Sequence, residues 1–404
     1  MLDNDMIEFL TYRNAMKSNY RKGVHALRCI LNNRKQAETF AGSLGGVSLV
    51  LGVSQPDGNS EALRALLEGS AVIDQATLTW LKNWWPEQCG SWDTLAADQG
   101  RCSTIATDPF LWERVGASPV GAGKILAGLV GQDSRNFAAM QAVAASPVAI
   151  AAIYRSDVAL SAVDSEVSAA ATFYGADSVA IGKAVVILTG LDPAGYADMS
   201  AVAASATAMS AVAANYVALA ALYSNAEALS TAQGTTVGAA ALAGAGSVAT
   251  GKAAVKLAGL DPDDFADMAA VAASSTAMAA VAASATARSA LNGSSVARQA
   301  LKASPLATEL SLVSSQGQYW DNSGTKAMKG LILATKAGNS DNAFSITKID
   351  STSTGASQNT RNAATSGSTG YLDWYENYPN YAWVMNSITY YAYYTTTKIK
   401  YIPC

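Results

Sequence analysis

The hydrophobic pattern in the middle of the chain repeats every ten residues. Larger apolar side chains follow one another at spacings of seven and three residues, at Val202, Met209, Val212, Leu219, Leu222 and Leu229. Such spacings place residues on one face of an α-helix, so each ten-residue segment, or decad, can present one apolar stripe. Ten residues make about 2.8 helical turns, so an unbroken helix would rotate the stripe by roughly 80° per decad. The pattern therefore predicts a separate helix of two turns or less for each decad.

Each decad begins with a residue type that favours the start of a helix. The side-chain oxygen of Ser or Asn can accept a hydrogen bond from an N–H group that the first helical turn leaves unpaired. Alanine at most other positions lets neighbouring helices approach closely. The sequence thus predicts an α-helical solenoid of short ten-residue helical repeats. The decad starts are Ser146, Ser156, Ser205, Asn215, Asn225, Ser274, Ser284, Ser294 and Ser304.

A longer repeat encloses the decads. Three segments align, at 123–146, 182–205 and 251–274, and their starts are 59 and 69 residues apart. The difference of ten predicts one additional decad in the second repeat. In the Leu-Asp-Pro sequences at 191–193 and 260–262, Asp can cap a helix whose first position is Pro. On that helix an aromatic residue and a methionine three residues later are expected to share a face, at Phe137 and Met140, Tyr196 and Met199, and Phe265 and Met268.

The two ends of the chain differ from the repeats in composition. Residues 1–115 contain a basic stretch, 1–37, which is either a docking helix for an acidic partner or a solvated helix face. Five of the eight tryptophans lie between Trp80 and Trp112 and suggest an aromatic cluster. Residues 311–404 are rich in Gly, Ser, Thr, Asn and Tyr, with alternating patterns at 331–337, 343–350, 381–389 and 390–402 that are typical of strands.

These observations predict a multidomain α+β protein. Its three parts are a mainly helical N-terminal domain (1–115), the Ala-rich helical repeat solenoid (116–310) and a C-terminal β-sandwich domain (311–404). Within the last part, aromatic rings crowd together among acids and an amide. Aromatic faces stack on sugar rings while carboxylates accept hydroxyl protons, so this cluster is a candidate glycan-binding site; the alternative is a sandwich core and a subunit interface. The candidate residues are Asp373, Trp374, Tyr375, Glu376, Tyr378, Tyr381 and Trp383.

Charge and composition exclude several classes of function. The net charge is −4, so no basic footprint for nucleic acid is present. Residues 199–226 carry no charge, but Ser, Thr, Asn and Ala dominate them, and no membrane span is expected. Four cysteines do not make a disulfide framework in a chain of 404 residues, and whether Cys89 and Cys102 pair is left open.

No catalytic, cofactor or metal site is predicted. The single histidine, His25, supports neither a zinc site nor a Ser-His-Asp arrangement. The sequence from Gly246 to Lys252 has the spacing of a phosphate-binding loop, but Ala253 replaces the Ser or Thr that would meet magnesium. The same Gly-Lys pair recurs at 123 and 182 without the leading glycine, so we interpret the match as a by-product of the repeat.

The decads resemble a known class of protein. The pattern Ser-x-x-Ala-Met-x-Ala-Val-Ala-Ala, at 205–214 and 274–283, resembles repeats in structural and tail-fibre proteins of tailed bacteriophages. The closing residues Lys398-Ile-Lys-Tyr-Ile-Pro-Cys404 are similar to the carboxyl ends of small β domains in such virion proteins. The resemblance covers the repeat region and the C-terminal part, and nothing in residues 1–110 contributes to it.

The resemblance implies a virion component without catalysis, assembled in the host cytoplasm. Its N-terminal part would dock on other virion proteins, and such proteins are often homotrimers. In one alternative the β domain is an adhesin for a bacterial surface polysaccharide. In the other the protein is a collar, baseplate or head-decoration component with a purely structural role. A polysaccharide depolymerase is disfavoured, because the repeats are helical rather than stranded.

Overall fold

The computed structural model describes Leu78, residues 90–116 and 118–312, and the segments 323–336, 343–348, 358–359, 372–373, 384–391 and 397–404. The helices are α1 (Trp92–Ala96), α2 (Gln99–Thr107), α3 (Pro109–Gly116), α4 (Pro119–Leu129), α5 (Met140–Ala144), α6 (Pro147–Arg155), α7 (Asp157–Ser165), α8 (Val167–Tyr174), α9 (Ser178–Thr189), α10 (Met199–Ala204), α11 (Ala206–Ala214), α12 (Tyr216–Ser224), α13 (Ala226–Gln233), α14 (Thr236–Ala243), α15 (Ser247–Leu257), α16 (Met268–Ala273), α17 (Ser275–Ala283), α18 (Ala285–Gly293) and α19 (Ser295–Lys302). The strands are β1 (Thr308–Leu312), β2 (Ser323–Lys336), β3 (Ala343–Lys348), β4 (Gln358–Asn359), β5 (Leu372–Asp373), β6 (Val384–Tyr391) and β7 (Thr397–Pro403).

The chain divides into two compact units between Ala180 and Ile181. In the first unit, α4 packs on α1, α2 and α5. Its core includes Leu95, Ile105, Ile125 and Leu126, which are fully buried. The second unit contains the remaining repeats and the strands.

The decads form separate helices that are joined by a single extended residue. Ser205 ends α10 and begins α11 with φ −90° and ψ 115°, and its side chain accepts a hydrogen bond from the N–H of Ala208 at 3.2 Å. Asn215 and Ser284 do the same for α12 and α18. The predicted caps are therefore confirmed from Ser146 to Ser294, but Ser304 begins no helix, because the chain turns there and β1 starts at Thr308. The predicted helix length was too short, because α11 has nine residues and one residue is enough to turn the chain.

The apolar stripe faces the core of the second unit. Met209, Val212, Leu219 and Leu222 are at most 1% exposed, and each helix packs against a later one. Here α10 packs on α13, α11 on α14 and α12 on α15, so a helix meets the third helix after it. Four short helices separate α4 from α9, whereas five separate α9 from α15. The additional decad predicted for the second repeat is therefore confirmed.

The Leu-Asp-Pro segments adopt a different structure from the one expected. Asp192 caps a 3-10 turn, Pro193–Gly195, which ends before Tyr196. Met199 begins a new helix, α10, and is fully buried, whereas Tyr196 is partly exposed. The aromatic residue and the methionine therefore do not share a helix face.

The expected C-terminal β-sandwich is wrong, and with it the predicted α+β class. The described strands belong to one sheet with the order β1-β7-β2-β6-β3-β4, and β5 pairs with β2. Leu331 of β2 lies opposite Ile402 of β7, and both are fully buried in a cluster with Met278, Val281 and Leu301 of the helical repeats. Helices already cover this apolar face, so no second sheet is required there. A strand lies in each of the segments predicted at 331–337, 343–350 and 381–389, whereas the segment 390–402 is divided between the end of β6 and β7. The structure that packs against these strands differs from the one expected.

Candidate functional site

The sequence analysis placed a glycan site at 373–383, and the structure describes Asp373 of this set. Asp373 lies in β5 opposite Ala334 of β2. Trp374, Tyr375, Glu376, Tyr378, Tyr381 and Trp383 lie outside the described residues. All residues up to 89 except Leu78 also lie outside them. They include the segment 1–37 and three of the five clustered tryptophans, Trp80, Trp84 and Trp85.

The glycine of each Gly-Lys pair lies where two helices of the repeat come into close contact. A Cβ atom on Gly251 of α15 would lie 2.5 Å from the backbone nitrogen of Met268 and 2.7 Å from the carbonyl carbon of Asp267. Gly182 meets Met199 and Asp198 at the same two distances. Since real side chains do not tolerate such contacts, glycine is what allows the long helix to cross the start of the next short one. The phosphate-loop spacing around Gly251 thus reflects helix packing.

The lysine after that glycine binds within the scaffold in two of the repeats. Lys124 Nζ donates to Asp93 Oδ1 and to the carbonyl oxygen of Ser134, both at 2.8 Å, and Ser134 Oγ lies 2.8 Å from the same Asp93 oxygen. Lys252 Nζ lies 2.8 Å from Asp263 Oδ1 and 5.6 Å from the centre of the Tyr216 ring. Neither ammonium is therefore in the position of a phosphate-binding lysine.

The Lys124 cluster changes the acidity of Asp93. Partial burial acts to raise the pKa of this carboxyl group, but the hydrogen bonds from Lys124 and Ser134 outweigh it, and the pKa is lowered below its usual value. The sequence analysis missed this cluster, since Asp93 and Lys124 are 31 residues apart and no local pattern links them.

A carbonyl group in the last turn of each long helix is also bound by a distant side chain. Leu129 accepts from Gln99 Nε2 at 2.7 Å, Leu188 from Asn215 Nδ2 at 3.0 Å, and Leu257 from Ser284 Oγ at 2.8 Å. A helix leaves its final carbonyl groups unpaired, so these bonds satisfy them and fix the helix ends to the stack. Recurrent polar residues of the repeats therefore serve the scaffold.

The described cysteines are thiols. Cys102 is fully buried beneath the carbonyl groups of Leu95 and Ala96, and burial raises the pKa of its thiol to about 12. Such a thiol stays protonated at neutral pH and is a poor nucleophile. Cys89, whose pairing with Cys102 the sequence left open, lies outside the described residues.

In the described part of the chain, no group of three or more His, Cys, Asp or Glu residues could hold a metal ion. No single helix in that part is both long and apolar enough to cross a membrane. Two bent helix pairs reach the required length and composition jointly, and the pair within 206–224 is bent by 104°.

No protein-family model matches the chain, and no curated protein matches it. A function therefore has to be inferred from the chain's own residues.

Proposed function

We propose that the chain is a structural protein of a bacteriophage particle, of the fibre or attachment type, and that it acts without catalysis. The observation that carries the proposal is the repeat itself. Its decad caps, its crossing glycines and the lysines Lys124 and Lys252 all bind or pack within the scaffold. A repeat built in this way suits a spacer that holds other parts of a particle protein in fixed positions.

The proposal assigns a role to each part of the chain. Residues 1–115 dock on other virion proteins, the helical repeats form the spacer, and the strand region contacts a bacterial surface polysaccharide. The chain associates with itself, as a homotrimer, and becomes part of the virion after assembly in the host cytoplasm. Its low charged fraction of 14% supports self-association, because few charges would have to be desolvated between copies.

The first experiment tests the virion role. Particles released from cells that carry the gene are purified on a density gradient, and an antibody against the full chain is applied to the fractions. The chain should sediment with intact particles, and immunogold labelling should place it on the tail. Labelling at the neck or head would favour the collar or decoration role. Particles free of the chain would contradict the whole proposal.

The second experiment tests adhesion. Fluorescently labelled full chain is mixed with host cells and with cells stripped of surface polysaccharide. Saturable binding that depends on the polysaccharide, and that weakens in Trp374→Ala or Tyr378→Ala, supports the adhesin. Equal binding to both kinds of cell would rule adhesion out while leaving the structural role intact.

A further inference from the structure

One helix cap in the first unit departs from the pattern of the repeats. Ser146 and Ser156 cap α6 and α7, whereas Glu166 caps α8 and accepts a hydrogen bond from the N–H of Ser168 at 3.3 Å. A serine hydroxyl group would cap this helix without taking a charge out of water. The repeat itself therefore does not require a carboxylate at this position.

Glu166 is buried without a counter-charge. It is 8% exposed, and within the described residues no lysine or arginine forms an ion pair with it. A buried carboxylate is costly unless a cation or several hydrogen-bond donors compensate for the lost hydration. The N–H of Ser168 is one such donor. A cation from outside the described residues would supply the compensation that is missing.

Two exposed side chains lie beside Glu166 in the chain. Val167 is 73% exposed, more than any other large hydrophobic residue in the described part of the chain. Asp164 is also exposed and accepts a hydrogen bond from the hydroxyl group of Tyr174 at the end of α8. We refer to Asp164, Glu166 and Val167 as the acidic patch. It offers two carboxylates and one apolar side chain within four consecutive residues.

A segment of complementary charge lies near the N-terminus. Residues 9–37 contain seven lysine and arginine residues and no aspartate or glutamate. Apolar residues recur in this segment at spacings of three and four, which predicts one apolar stripe along a basic helix. They are Met16, Tyr20, Val24, Leu27 and Leu31. The segment lies outside the described residues, so its helical form is a prediction from the sequence.

We propose that the acidic patch binds the basic segment 9–37 of a second copy of the chain. Basic side chains of the segment pair with Glu166 and Asp164, and its apolar stripe covers Val167. The inference rests on the proposed self-association and names the two surfaces that form it. Because the patch and the segment are different surfaces, the contact is heterologous, and contacts of this kind can close into a ring of three copies.

The test follows the oligomeric state of the full chain by sedimentation velocity at several concentrations. The acidic-patch variant, Asp164→Asn/Glu166→Gln, keeps the shape of both side chains and removes their charges. It should associate about tenfold more weakly, the loss expected when charge-assisted contacts are removed. Added NaCl should also weaken association of the unaltered chain, because salt screens exposed charges.

Thermal unfolding separates binding from a structural role of Glu166. The thermal stability of the dissociated acidic-patch variant should not fall, since a buried charge without a counter-charge is removed. Lower stability together with unchanged association would show that Glu166 serves only as a helix cap, and would overturn the proposal.

A matched variant controls for net charge. Glu227→Gln/Asp264→Asn removes two exposed carboxylates from the repeats and should associate as the unaltered chain does. Lys17→Gln/Arg21→Gln in the basic segment should weaken association as the acidic-patch variant does. Combining that pair with the acidic-patch variant should add little, because both remove the same contact.

The remaining outcomes separate this inference from the proposed function. An equal loss in the net-charge control, or fully additive losses in the combined variant, would overturn the inference. Self-association that persists unchanged in the acidic-patch variant would overturn it and leave the proposed homotrimer intact. If that variant is also missing from particles, another virion protein occupies the patch. A chain that is monomeric at every concentration would contradict both the inference and the homotrimer.

Discussion

At some positions of the repeats, the backbone of a neighbouring helix lies so close that only glycine fits. Gly182 and Gly251 lie against the backbone at the start of the next short helix. A Cβ atom added to either glycine would lie 2.5 Å from a backbone nitrogen, so the same close contact recurs 69 residues along the chain. The glycine lowers the helix propensity of α15 by about 1 kcal/mol relative to alanine, and close packing of the crossing helices offsets this.

Gly251→Ala should therefore destabilise the protein even though alanine is the better helix former. The added methyl group meets backbone atoms that cannot rotate away, and overpacking of this kind costs about 1–3 kcal/mol, more than the gain in propensity. Urea unfolding of the full chain measures the difference. Gly195→Ala is the matched control, since no atom lies within 4 Å of its added Cβ. Equal stabilities of the two variants would show that the crossing can widen freely.

Asp93→Asn should destabilise the first unit by about 1–3 kcal/mol, because Lys124 would keep its charge in a site where it is 8% exposed. The pKa of Asp93 is lower in the folded state than the ordinary value of 3.8 that it has in the unfolded chain. Its contribution is therefore present above about pH 4 and lost as the pH falls through the folded pKa. The difference in unfolding free energy between the unaltered chain and Asp93→Asn, measured by urea unfolding at several pH values, should decrease below that pH. A difference that persists at low pH would mean that the carboxylate charge is not the source.

At the scale of the helix, the cap residues differ in how many hydrogen bonds they form. Some bind only an N–H group of their own helix, whereas others also bind a carbonyl group of another helix. Ser205 Oγ accepts from the N–H of Ala208. Ser284 Oγ accepts from the N–H of Ala287 and also donates to the Leu257 carbonyl of α15. The second bond joins a decad to the long helix that precedes it.

Ser284→Ala should thus cost more than Ser205→Ala. Loss of a cap alone costs about 1 kcal/mol, and the unpaired Leu257 carbonyl adds about another 1 kcal/mol. Thermal or urea unfolding of the two variants provides the comparison, with Ser205→Ala as the control. If both variants lose the same free energy of unfolding, water replaces the hydrogen bond to the Leu257 carbonyl group.

For the whole molecule, the long repeats differ in length by one complete decad. The second repeat differs from the first by one helix. The caps Glu166 and Thr235 pair α8 with α14, so the additional helix lies before α14. The glycine crossings at the two ends of that repeat nevertheless have the same geometry.

A chain that lacks residues 225–234 should accordingly fold with a cooperative unfolding transition, because α12 would lead directly into the cap at Thr235. A chain that lacks only 225–229 should lose cooperativity, since half a decad turns the apolar stripe away from the core. Circular dichroism during thermal unfolding distinguishes them. Loss of cooperativity in both would show that α13 is indispensable.

The sequence alone determined the local structure of the repeats. Caps, apolar stripes and the additional decad depend on neighbouring residues, and Ser205 or Asn215 can form its cap bond without information from elsewhere in the chain. The strand segments were likewise evident from alternation around Leu331 and Ile346.

Tertiary structure alone decided what those elements pack against. The partner of the Leu331–Ile402 face is the helical core, and the partner of Lys124 is Asp93; both join residues far apart in sequence. Periodicity shows that a face is apolar but not whether a helix or a second sheet will cover it, because either removes the same surface from water.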